Sequence, residues 1–203
     1  IHATAMEHVF ILDLGSQLIF SVAGCLGMTG MNQHGVGITV NNLVSLDARI
    51  GVVWSAVVRK ALKQVDAEHA RNAILNTLLG SGHHYLVADT KNVFGIETSG
   101  HKKKVTQTGA DQIHFHTNHC LDNEMAQTHT IKPTSTTHTR YDILTKTTFG
   151  DHSAHALYEA LGRASIAPNP NSLTSTATCG AFVMDLSKRQ VLTCIGPASE
   201  SVF

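Results

Sequence analysis

β-Rich runs in this chain come in adjacent pairs, and that pairing limits its fold more than any other feature. Residues 8–14, HVFILDL, and 17–24, QLIFSVAG, are separated only by Gly-Ser, a turn signal. Residues 27–42, GMTGMNQHGVGITVNN, hold a second hairpin with NQHG as its connection. HHYLVADT and NVFGIETS (83–90 and 92–99) meet at a short turn, and KKKVTQT and IHFHTN (102–108 and 113–118) follow as further strands, which predicts a second antiparallel layer. GAFVMDLSKRQVLTCIG, residues 180–196, reads as a closing hairpin turning at 187–189. Strands that follow one another directly pair antiparallel, whereas a parallel sheet needs a crossover between each pair.

Helical periodicity fills the intervals. Val53, Ala56, Val57, Ala61 and Leu62 fall on one helical face, with Arg59, Lys60 and Lys63 on another. Asp66 stands as N-cap of a second helix, whose Ala70, Ile74, Leu75, Leu78 and Leu79 form a stripe running to a stop at Gly80. Helical patterns return at 139–148 and 153–164, before APNPNS breaks the chain at 167–172. The order strands, helices, strands, helices, strands predicts an α+β fold of stacked antiparallel sheets with helices outside, in one domain spanning 1–203.

Charge narrows the partners. Lys plus Arg and Asp plus Glu are 15 each, so the electrostatic footprint of a nucleic-acid binder is missing and a small-molecule ligand is expected. No stretch offers the roughly 18–20 apolar residues that span a bilayer as a helix. Cys25, Cys120, Cys179 and Cys194 are widely spaced and form no CxxC pair, which favours a reducing, cytoplasmic setting over a disulfide framework.

Fourteen histidines raise the question of a metal. A strand through IHFHTNHC sends His114, His116 and Asn118 to one face and Phe115 and Thr117 to the other. Two imidazoles then converge where zinc wants three or four donors, and neither His83 nor His84 sits in an HExxH-like pattern that would complete the set. His138, His152 and His155 lie among polar residues and read as solvated.

Two motifs in order change the reading. GMTGMNQHGVGITVN has the form G-x-x-G-x-N-x-x-G-x-x-x-x-x-N, and HTNHCL follows two helices later. Together with the last hairpin they resemble the penicillin acyltransferase family of N-terminal nucleophile hydrolases, also classed as the C45 cysteine peptidases. The resemblance implies a four-layer αββα sandwich and autocatalytic cleavage that exposes an N-terminal cysteine. The freed α-amine, with a pKa of about 8, serves as base and the thiol as nucleophile toward a small acyl amide, by way of an acyl-thioester. It further implies that Asn118 donates an amide N–H to the oxyanion, which is worth on the order of 3 kcal/mol. Thr117 and His119 are expected to frame that strand end, Asn32 to shape the turn before His34 or meet substrate, and Arg140 to meet an acidic group or a substrate carboxylate. No metal or cofactor is implied.

The chain also departs from the pattern. It begins at Ile1, and none of its cysteines is N-terminal. The resemblance therefore places the nucleophile upstream of Ile1, on a companion chain or an upstream segment, and association, including with like chains, is expected. Ser175 stands where a fungal penicillin-acylating member carries a basic residue, so the penicillin substrate itself is not implied. Two other readings stay open: a catalytically silent small-molecule-binding relative, and a histidine-dependent metallohydrolase.

Overall fold

A computed structural model of the chain describes residues 7–147, 153–166 and 177–198. Strands β1 (Val9–Asp13), β2 (Gln17–Val22), β3 (Thr29–Asn32) and β4 (Gly37–Asn42) follow as antiparallel neighbours, then β6 (His83–Ala88), β7 (Val93–Thr98) and β8 (Lys103–Thr108). All seven form one sheet in the order β1-β2-β3-β4-β6-β7-β8. The expected second layer is thus corrected: β6 pairs with β4, from Gly37↔Ala88 to Asn42↔His83, and extends the first sheet. The open edge of β4 carries unpaired backbone donors and acceptors, and the returning chain satisfies them there.

Between β4 and β6 the chain leaves the sheet. After β5 (Val44–Ser45) come helices α1 (Trp54–Ala61) and α2 (Ala67–Leu75), which cover one sheet face. Asp66 caps α2 by accepting from the His69 N–H at 2.8 Å. Period-2 alternation sends Ile19, Ile38, Tyr85, Val87 and Ile96 to that face, against Val57, Val58, Ala61, Ala70 and Ile74. Each aliphatic side chain buried in this way contributes about 1.5–3 kcal/mol.

Helix α2 ends a full turn before Gly80, which corrects the predicted stripe. Lys103 donates through Nζ to Leu75 O at 2.5 Å and to Thr77 O at 2.6 Å, and so takes up carbonyls that a longer helix would have used. Leu79 is buried by another route, through a parallel bridge with Val52, and Leu78 is exposed.

The other sheet face meets the hairpin of β10 (Gly180–Asp185) and β11 (Gln190–Ile195), which turns through Arg189 at φ 55°. Phe20 and Phe182 pack edge to face across the gap, with ring centroids 6.1 Å apart. Ala181 and Val183, on the opposite side of β10, pack on Tyr158 of helix α5 (Ala154–Arg163), beside helix α4 (Thr137–Lys146). The layers run helices, sheet, hairpin, helices, which is the αββα order.

One expected strand is missing among the described residues: 113–118, IHFHTN, forms no ladder. Gln107 on β8 meets it with a side chain, donating through Nε2 to Phe115 O at 3.0 Å. A short helix, α3 (Asn123–Ala126), and β9 (His129–Thr130), paired to β5, lead on to α4.

Two consequences are measurable. A Cβ on Gly180 would lie 2.5 Å from the Phe20 ring and 2.5 Å from Cys194 O, so Gly180→Ala should cost roughly 1–3 kcal/mol in urea unfolding by prising the hairpin from the sheet. Burial holds His83 down to about 4 from 6.5 and pushes His84 in the same direction. Between those values the unfolded chain binds a proton that the folded one refuses, so stability falls as pH drops from about 6.5 to about 4. His83 alone accounts for roughly 2–4 kcal/mol of that fall. Unfolding midpoints at pH 7 and pH 4.5 should differ accordingly, and His83→Gln should narrow the difference.

Candidate active site

Between the large sheet and the layer of β10 and the helices lies a cleft of about 590 Å3. The sheet supplies Phe20, Asn41 and Asn42, β10 supplies Phe182, and α4 supplies Arg140 and Leu144. The unladdered segment supplies His116, Thr117 and Asn118.

Asn118 is held at three atoms. Its backbone N–H donates to Thr137 Oγ1 at 2.8 Å, its Nδ2 donates to Asn42 O at 3.1 Å, and its Oδ1 accepts from Arg140 Nη2 at 2.7 Å. A guanidinium can only donate and a carbonyl can only accept, so the amide orientation is fixed. One Nδ2 hydrogen is taken by Asn42, and the second is left for a ligand in the cleft. Burial lowers the Arg140 pKa, yet a guanidinium stays charged at any physiological pH, so its bond to Oδ1 is charge-assisted.

Behind Asn118 sits a buried hydroxyl hub. Thr117 Oγ1 donates to Thr137 O at 3.1 Å, and Thr137 Oγ1 lies 2.9 Å from Thr117 Oγ1 and 3.0 Å from His119 Nδ1. Burial, then the neighbouring His138, holds the His119 pKa down, which suits a neutral ring accepting from the Thr137 hydroxyl. The His119 ring packs against His138, 4.3 Å between centroids, and edge-on to Tyr141 at 5.3 Å. His119 therefore supports the site from behind and does not line the cleft.

Asn32 shapes the turn before His34, as expected, and does not meet the cleft. It is buried, with Oδ1 accepting from the N–H groups of His34 and Val36 and Nδ2 donating to Leu62 O and Gln64 O. The left-handed backbone of that turn belongs to Gly35, at φ 80°. Asn32 ties the hairpin to the end of α1, leaving no polar atom for substrate, and it is not among the cleft-lining residues.

The histidines disperse as well. His114 Nε2 bonds Gly109 O at 2.7 Å, while His116 Nε2 lies 3.2 Å from Glu97 Oε1 with the His84 ring stacked on it at 3.5 Å. Among the described residues, no group of three His, Cys, Asp or Glu side chains could hold a metal ion. His138 and His155 are exposed, and His152 and Ser175 lie outside the described residues. Nor is any described helix long and apolar enough to cross a membrane.

Sequence reasoning missed Thr137 and Glu97. Thr137 stands three residues before Arg140 in the first turn of α4, a spacing that puts both on one helical face. Glu97 is a lone carboxylate in an otherwise uncharged strand, on the same face as Gly95. Cys120, the residue next to the motif, is half-buried with its thiol pushed up to about 12 by burial and by Glu97. Iodoacetamide at pH 7.5 should accordingly spare Cys120 in the folded protein and modify it in urea, as read by peptide mass mapping.

The comparison with curated proteins found no match. Among solved structures, penicillin V acylase from Agrobacterium tumefaciens is similar with a TM-score of 0.58 and 14% identity, over 88% of this chain and 66% of that one. At that identity the likeness speaks for the fold, and the chain spans a little under two thirds of that protein's length. The family model described as acyl-coenzyme A:6-aminopenicillanic acid acyl-transferase matches residues 13–196. With the match running from the last residue of β1 to the end of β11, the chain belongs to the acyl-coenzyme A:6-aminopenicillanic acid acyl-transferase family.

Proposed function

We propose that this chain carries the oxyanion-binding part of an amidohydrolase or acyltransferase whose nucleophile is an N-terminal cysteine. The observation that carries this reading is the Asn118 amide, clamped between Arg140 and Asn42 O with one N–H to spare at the wall of the cleft. The cysteine, exposed by autocatalytic cleavage, would enter the cleft from a companion chain or an upstream segment.

The chemistry then follows from the donors. The cysteine's α-amine takes the thiol proton, and the sulfur attacks the carbonyl carbon of a small acyl amide. Charge gathers on the carbonyl oxygen, where Asn118 Nδ2–H donates, and Arg140 strengthens that donor by drawing on Oδ1. Collapse breaks the C–N bond, the leaving amine carries off the proton, and an acyl-thioester remains for water or an acceptor amine. Phe20, Leu144 and Phe182 give the cleft apolar walls suited to an acyl group. Thr117 holds the backbone of the site, His119 supports it, and Arg140 also faces any substrate carboxylate. Four free thiols suit a reducing, cytoplasmic location.

A binding role without turnover is the second reading, because Cys120 beside the motif is unsuited to nucleophilic attack and its neighbours hold it protonated. The test is Asn118→Ala in the complete protein, assayed on a series of acyl p-nitroanilides. The expected result is a fall in kcat of about 10²–10³-fold with the circular dichroism spectrum retained. An unaffected rate would remove Asn118 from the chemistry. Wild-type protein that binds the amides without cleaving any would favour the second reading.

A further inference from the structure

We infer that Glu97 is a positioning residue for this site, a single buried carboxylate that ties down both flanks of the Asn118 loop. The inference rests on the role proposed for Asn118. Glu97 lies on β7 with no exposed surface, and its one ion-pair partner among the described residues is His116. A carboxylate in that setting is costly unless its lone pairs are filled. Every group that fills them comes from the same loop. Leu121 N–H donates to Oε1 at 2.6 Å, Asp122 N–H donates to Oε2 at 3.3 Å, and His116 Nε2 sits 3.2 Å from Oε1, while the carboxylate pushes up the thiol of the neighbouring Cys120.

The spacing gives the arrangement its meaning. Residues 116 and 120–122 bracket Asn118, and the stretch between them has no ladder to hold it. The carboxylate replaces that ladder. On its far side His116 Nδ1 faces Thr117 O at 2.6 Å, an acceptor, so that nitrogen carries a hydrogen. Nε2 faces the Glu97 carboxylate. The ring is held flat by His84, parallel within 4°. Glu97, His116 and the Thr117 carbonyl thus form a continuous chain of bonds ending one residue from Asn118.

A glutamine at position 97 would present an NH2 group to a loop that offers donors, leaving at least one N–H unpaired. Glu97→Gln should therefore lower kcat on acyl p-nitroanilides by about 10–100-fold, as small displacements of a catalytic group do, with KM within about twofold. The same substitution in an Asn118→Ala background should cost nothing more, because the effect travels through Asn118. Additive losses in the double variant would overturn the inference while leaving the Asn118 role intact. An Asn118→Ala protein of full activity would overturn that role instead, and the inference with it. A measurement on unaltered protein guards against a variant that does not fold. The Leu121 amide, outside any strand, should exchange with deuterium as slowly as the amides of β7, and exchange at the rate of an open loop would sink the clamp.

Discussion

The pairing of β4 with β6 is the joint on which the rest depends. It fuses two runs of hairpins into one sheet and lets α1 and α2 close over one face. It also sets Asn41 opposite His84 and Asn42 opposite His83. A slip of one residue would turn the side chains of the shifted strand to the wrong face. In the observed register Asn42 O stands where it receives Asn118 Nδ2, and His84 lies under His116. The floor of the cleft and the fixed end of the Asn118 amide are thus products of one strand alignment.

Polar groups around the cleft are organised in layers of decreasing exposure. Asn118 and Arg140 face the open space, while Thr117, Thr137 and His119 lie behind them, buried and mutually bonded. Glu97 lies behind the loop's other flank. Fully satisfied networks of this kind are stiff, since each group that moves leaves a partner unpaired in a medium of low dielectric. The site needs that stiffness, because its loop has no backbone ladder.

Much of this was legible in the chain. Hairpin pairs, the Asp66 cap, both long-patterned helices after the loop and the closing turn at Arg189 follow from turn chemistry and periodicity, which act within a few residues. Asn118 and Arg140 were both singled out from the sequence, but their bond to each other was not, since an acidic group or a substrate carboxylate was the expected partner of Arg140. The turn role of Asn32 was legible, but its tie to the helix end was not, because an asparagine before a glycine turn gives one local signal whether its amide faces a ligand or a helix end. The run IHFHTN misled for a related reason: alternation marks a segment able to pair, but β8, the edge strand beside it, meets the run through the Gln107 side chain and not through a backbone ladder.

By itself, then, the sequence determined most of the elements, their antiparallel character and the candidate amide at Asn118, because those depend on local conformation and on a contiguous motif. Only the tertiary structure decided that the later strands join the first sheet, that Lys103 reaches the Leu75 carbonyl at the end of α2, that Thr137 bonds the Asn118 backbone, and that Glu97 takes the Leu121 and Asp122 amides. Each of those turns on a contact across 19 to 28 residues or more. Such contacts are chosen by which buried donors and acceptors find partners once the layers close, and no short-range pattern records that choice.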